Sequence, residues 1–164
     1  PGARILYLVR DPRPAANSLI KLYRRCEEQR RSISRRSRRR FPDRPFIPYP
    51  RLPRLAEYLR EYGPEDIRTT ACLWRDAAFY VDERIRAVPE AMTIRYEDIV
   101  ADPREQVARI LDFCELPAPG ASNPAFQSRL EDVGRIHHSN RGYGQFEEIE
   151  AICGEAMERL GYRT

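Results

Sequence analysis

Ile5-Leu6-Tyr7-Leu8-Val9-Arg10-Asp11-Pro12-Arg13-Pro14 is the stretch whose reading decides the fold. Its first five residues are an unbroken apolar run, the pattern of a strand buried on both faces as in a parallel sheet. The prolines stop the strand, because proline cannot donate to a ladder. A helix is expected to begin around Pro14, with Ala15, Leu19, Leu22 and Cys26 on its buried face at spacings of four, three and four. Ser18 then falls in the first turn of that helix or just beyond. Arg10 stands at the carboxyl end of the strand, where open α/β sheets bind their ligands. A helix N-terminus adds unpaired N–H groups and partial positive charge. A guanidinium and a hydroxyl so placed suit one anion, and the planar Arg fork suits a phosphate. The alternative is that Arg10 pairs with Asp11 or Glu97 and Ser18 is an incidental polar position. Residue types alone leave both open.

Downstream, the helical pattern fails from Glu27 to Pro53. An arginine- and serine-rich run is followed by five prolines between Pro42 and Pro53, which reads as an exposed, mobile insertion at about 27–53. Helical periodicity returns at Leu55, Leu59 and Tyr62, breaks at Gly63-Pro64, and resumes from Ile67 through Ala71, Trp74, Ala78 and Val81. Trp74 at that spacing reads as core. Met92 to Tyr96 is a second strand. Asp102-Pro103-Arg104-Glu105 is a helix start, with Asp102 as cap, Pro103 in the first turn and Glu105 completing a capping box. Val107, Ile110, Leu111 and Cys114 would supply its buried face. A last helix carries Phe146, Ile149, Ile152, Cys153, Met157 and Leu160 and ends at Gly161. Strands alternating with helices, with no hairpin signal, argue for an α/β sheet.

The chain has 164 residues, which suits one domain. Of 29 Lys and Arg, Lys21 alone is lysine. The net charge is +4, yet seven arginines lie between Arg30 and Arg40, so the remainder is net −3. The body of the protein is therefore no basic nucleic-acid binder, and the run reads as a solvated segment or a contact for an anionic surface. No apolar run approaches the roughly 18 residues of a membrane span. The four cysteines have neither disulfide-motif nor zinc spacing and read as free thiols. Opening at Pro1 with an apolar run by Ile5, the sequence is expected to be cut from a longer one.

Leu8-Val9-Arg10-Asp11-Pro12-Arg13 followed by Asn17-Ser18 resembles the 3′-phosphate-binding segment of sulfotransferases that use 3′-phosphoadenosine 5′-phosphosulfate (PAPS). Arg95-Tyr96-Glu97-Asp98-Ile99 with Asp102-Pro103 is similar to the family's Arg-Tyr-Glu-Asp-Leu…Asp-Pro block. Phe113-Cys114-Glu115-Leu116-Pro117 is similar to its Phe-Leu-Gly-Leu-Pro continuation. Cys153 through Met157 to Leu160-Gly161-Tyr162 resembles the end of the carbohydrate and tyrosylprotein branches.

The resemblance implies an α/β, P-loop-NTPase-like parallel sheet flanked by helices, present over 1–164 as a single partial (C-terminal) domain. It implies transfer of a sulfuryl group from PAPS to a hydroxyl or amine of a carbohydrate, peptide or small-molecule acceptor, with no metal required. Arg10 and Ser18 would hold the 3′-phosphate. Ser139 and Arg141, in the loop Arg135 to Gly142, would belong to a lid over the nucleotide. His137 and His138 read as surface residues of that loop. The family's Gly-rich 5′-phosphosulfate loop has no counterpart here. Catalytic residues are accordingly expected upstream of Pro1, and this chain alone is expected to be inactive. Glu97 and Asp98 read as structural carboxylates. Competing readings are a non-enzymatic polyanion-binding module acting through Arg30–Arg40 and an inactive sulfotransferase-like scaffold. The composition, with no Asn-x-Ser/Thr acceptor, leans towards a bacterial cytoplasm, while the family also populates the Golgi lumen.

Overall fold

The computed structural model describes residues 3–32, 48–117 and 143–162. Two strands, β1 (Ile5–Val9) and β2 (Ala91–Arg95), pair in parallel with Ile5 opposite Ala91 and Val9 opposite Arg95. Among the described residues there are six helices: α1 (Pro12–Ser32), α2 (Leu55–Glu61), α3 (Ile67–Ile85), α4 (Tyr96–Ala101), α5 (Pro103–Phe113) and α6 (Phe146–Arg159). A parallel pair requires a long crossover, and α1 to α3 lie within it. The chain divides into two compact units, Pro1–Asp11 with Tyr80–Gly142, and Pro12–Phe79 with Tyr143–Thr164.

The first unit holds the strand pair, α4 and α5. The parallel pairing agrees with the apolar run; burial on both faces does not. Val9 and Ile94 are buried, but Ile5, Leu6 and Leu8 are 44%, 41% and 54% exposed. A strand is buried twice over only where other layers cover both faces, and nothing among the described residues covers these three. The helical turn α4 at Tyr96 was not legible as a helix. It ends at Asp102, whose Oδ1 then accepts the Glu105 N–H at 3.0 Å to cap α5, with Pro103 at the first helical position. Val107, Ile110, Leu111 and Cys114 are only half-buried on α5. Glu115 takes the left-handed conformation, φ 56°, at the end of α5. There the Glu115 and Leu116 N–H groups donate to the Asp112 and Leu111 carbonyls, both at 2.9 Å. The Arg4 guanidinium clasps this turn: it lies over the Phe113 ring and bonds the Phe113 carbonyl and the Glu115 carboxylate.

The second unit is helical. α1 starts at Pro12, two residues earlier than expected, because a proline at the first position gives up an N–H that has no partner anyway. Ser18 is consequently the seventh residue of α1, in the second turn and past the N-terminal N–H groups. The buried stripe is also displaced. Ala16, Ile20, Tyr23 and Glu27 are buried, one position on from the stripe read from the sequence, and Leu22 is 41% exposed. Apolar residues at both sets of positions, Glu27 excepted, make a wide arc, and packing against α3 and α6 selects its centre. α1 continues to Ser32, into the segment where the helical pattern was expected to fail.

Ala16, Ile20, Ile67, Ala71, Ile149, Cys153 and Met157 form one core cluster, with Trp74 and Tyr162 packed on it. Tyr23, Tyr49, Leu55, Tyr58, Cys72 and Leu73 form a second. Tyr49, within the stretch read as an insertion, is thus a core residue; its phenol donates to the Pro64 carbonyl. The Tyr58 hydroxyl donates to Asp76 at 2.6 Å and accepts from Arg75 at 3.0 Å, which ties α2 to α3. Burial, followed by the Asp76 carboxylate, raises the Tyr58 pKa well above the usual phenol value. At the end of α6 Gly161, φ +75°, donates to Glu158 at 3.2 Å, and Tyr162 donates to Met157 at 2.8 Å. All four cysteines are free thiols.

Asp102→Ala should lower stability by about 1 kcal/mol, with Asp102→Ser close to the parent protein, as read by denaturant unfolding.

Candidate functional site

In the first unit the residues of interest gather at the carboxyl ends of the two parallel strands. Arg10 follows β1 directly, and its guanidinium carbon lies 4.6 Å from the centroid of the Tyr96 ring. A cation at that distance is attracted by the negative face of the ring. The next backbone N–H, that of Asp11, donates to Glu97 Oε1 at 3.0 Å. Arg95 donates from Nε and Nη2 to the two oxygens of Asp98, at 3.0 and 2.7 Å. Each residue of Arg95-Tyr96-Glu97-Asp98 therefore has a distinct task. Two side chains pair with each other, one ring carries Arg10, and one carboxylate fixes the backbone beside it. Asp98 thus bonds Arg95, and Glu97 bonds the Asp11 N–H. Beneath them on β1, burial and then the Asp82 carboxylate raise the Tyr7 pKa.

In the second unit Ser18 faces the segment that enters α6. Ser18 Oγ and the Tyr143 hydroxyl are 2.7 Å apart, a hydrogen bond in which either can donate. Lys21, one turn further along α1, places its ammonium 3.9 Å from the centroid of the same ring. Asn17 anchors the neighbouring backbone from both sides. Its Nδ2 donates to the Gly144 carbonyl at 3.0 Å, and its Oδ1 accepts the Gly144 N–H at 3.3 Å. The same Nδ2 reaches the Arg13 carbonyl at 2.9 Å. Arg13 in turn pairs with Glu150 of α6 at 3.1 Å. The result is a hydroxyl pair beside one cation, held by backbone bonds that bring the approach to α6 onto α1.

Of the residues picked out in the sequence, Arg10 lies in the first unit and Ser18 in the second. Ser139 and Arg141 lie outside the described residues, as do His137, His138 and most of the arginine run. Ser18 sits beyond the reach of the α1 N-terminal N–H groups, so the helix-end part of the anion argument does not apply to it. Three residues were missed. Tyr96 stands inside a quoted motif and Lys21 one helical turn after Ser18, so both were within reach of the sequence. Tyr143 was not, since 125 positions separate it from Ser18. Among the described residues no group of three or more His, Cys, Asp or Glu is placed to hold a metal ion, and no helix is long and apolar enough to cross a membrane.

A family model described as a sulfotransferase domain matches residues 1–138. No curated protein and no solved structure matches the chain.

Asn17→Ala removes the donor and acceptor that hold Gly144. It should lower stability by about 1–2 kcal/mol and speed amide hydrogen exchange at Gly144, measured by thermal unfolding and exchange mass spectrometry.

Proposed function

The chain belongs to the sulfotransferase family, and from that premise we propose that it serves the transfer of a sulfuryl group from PAPS to a hydroxyl or amine. The acceptor is a carbohydrate, a peptide or a small molecule. In the reaction the bond between sulfur and the 5′-phosphate oxygen of PAPS breaks. A bond forms between sulfur and the acceptor oxygen or nitrogen, and the acceptor gives up its proton to a base. The product nucleotide is 3′-phosphoadenosine 5′-phosphate (PAP). Its demands are those of in-line group transfer: alignment, and positive charge where negative charge develops. On this reading the β1–β2 pair belongs to a P-loop-like sheet.

The part of the reaction assigned to this chain is recognition of the nucleotide's 3′-phosphate. Arg10 supplies a charged, bidentate donor and Ser18 a hydroxyl; the pair is assigned on residue type and the eight-residue spacing. The observation that carries the reading is the position of Arg10. It stands at the carboxyl end of a parallel strand, with its guanidinium carbon 4.6 Å from the centroid of the Tyr96 ring and its following N–H fixed by Glu97. A guanidinium held against a ring has less freedom to lose on gripping a phosphate. No side chain of this chain is assigned as the acceptor's base. Ser139 and Arg141 are assigned to a lid closing over the nucleotide.

Isothermal titration with PAP and with AMP separates the 3′-phosphate from the rest of the nucleotide. PAP should bind more tightly than AMP. Arg10→Ala should weaken PAP by roughly 10- to 100-fold, the worth of a charge-assisted pair, and leave AMP unchanged. Equal affinity of the folded protein for PAP and AMP would sink the assignment.

A further inference from the structure

We propose that Tyr143 is a positioning residue for nucleotide recognition: its phenol orients the Ser18 hydroxyl towards the 3′-phosphate, and Lys21 tunes that phenol from above its ring. The proposal rests on the reading that Ser18 binds the 3′-phosphate, and it adds to it a residue that no motif contains.

The argument begins with the chemistry of a serine hydroxyl. It has one hydrogen to donate and rotates freely unless something fixes it. To serve a phosphate, which only accepts, that hydrogen must point at the phosphate and nowhere else. Tyr143 can impose this. With 2.7 Å between the two oxygens, the phenol donates to Ser18 Oγ and occupies one of its acceptor sites, and the serine hydrogen is left for the phosphate. A phenol is the stronger acid of the two, so it is the natural donor of the pair. Lys21 strengthens that choice. Its ammonium, 3.9 Å from the ring centroid, draws electron density from the ring and makes the phenol O–H a better donor. The ring itself is set in place by the backbone beside it, because Asn17 holds the Gly144 N–H and carbonyl. Ser18, Lys21 and Asn17 are all on α1, and all engage residues 143–144. One helix face therefore carries the candidate phosphate donor together with the groups that orient it.

A purely structural tyrosine would behave otherwise. Its loss would loosen the entry to α6 and weaken binding of every nucleotide alike. A positioning tyrosine affects only ligands that carry the 3′-phosphate, and only while Ser18 is present.

The experiment is calorimetric titration of PAP and AMP against the protein, Ser18→Ala, Tyr143→Phe, the double variant and Lys21→Met. Phenylalanine keeps the ring beneath Lys21 and removes only the hydroxyl. Ser18→Ala should weaken PAP about 10-fold. Tyr143→Phe should weaken it about 3- to 10-fold, with AMP unchanged within about twofold. The double variant should match Ser18→Ala, since Tyr143 acts through Ser18. Lys21→Met, which leaves the packing intact, should show a smaller loss for PAP that vanishes on the Tyr143→Phe background. If Ser18→Ala leaves PAP affinity unchanged, the reading beneath the proposal fails and the proposal with it. If Ser18→Ala weakens PAP but Tyr143→Phe does not, the proposal alone is overturned. It is likewise overturned if Tyr143→Phe weakens PAP and AMP equally, or if the two losses add.

Discussion

The helical unit depends on how closely α1, α3 and α6 approach one another. Ala16 on α1, Ala71 on α3, and Cys153 and Ala156 on α6 are all almost without exposure. Small side chains at such positions let backbones come near, and Cys153 Sγ lies 3.3 Å from the Ala71 carbonyl, to which it can donate. Larger residues would force the helices apart or push side chains off their rotamers. The same approach has a consequence at the N-terminal end of α6. With the helices seated on one another, residues 143–145 pass over α1, where Asn17 takes up the Gly144 backbone and Ser18 meets Tyr143. Gln145, in the left-handed conformation at φ 56°, turns the chain from that contact into α6.

In the strand-bearing unit the governing constraint is electrostatic and local. Tyr96 meets Arg10 with its ring face, which attracts the guanidinium. Asp98 is engaged by both Nε and Nη2 of Arg95, and Glu97 accepts the Asp11 N–H. An arginine-tyrosine-glutamate-aspartate sequence at the end of a neighbouring parallel strand thus meets Arg10 with Tyr96 and the Asp11 N–H with Glu97.

Much of this was legible in the sequence because its causes are local. Asp102 with Pro103 made a helix start and Gly161 a helix end through contacts spanning a few residues, and the apolar run Ile5–Val9 carried the local pattern of a strand. The misplacements have one origin. Where apolar residues occupy a wide arc of a helix, periodicity gives the helix but not the centre of its buried face. The spacing points to Leu22, whereas Tyr23 is buried and Leu22 exposed. Where a strand's burial depends on layers contributed from elsewhere, composition anticipates an environment that Ile5, Leu6 and Leu8 do not have among the described residues. Tyr49 lay among prolines and arginines that read as exposed chain. Its burial comes from Tyr23, whose ring centroid is 6.1 Å away.

The candidate site divides along the same line. The sequence by itself determined the residue types and their order: an arginine closing a strand, a serine eight positions on, and an Arg95-Tyr96-Glu97-Asp98 block downstream. These follow from backbone stereochemistry and short-range pairing, which act over a few residues. Only the tertiary structure decided what each of them touches. It placed Arg10 on Tyr96 across the strand pair and set Ser18 in the second turn of α1. It also brought Tyr143 to Ser18 through the packing of α6. Those contacts join segments between 86 and 125 residues apart. No local preference encodes them, because they come from the burial of whole helix and strand faces.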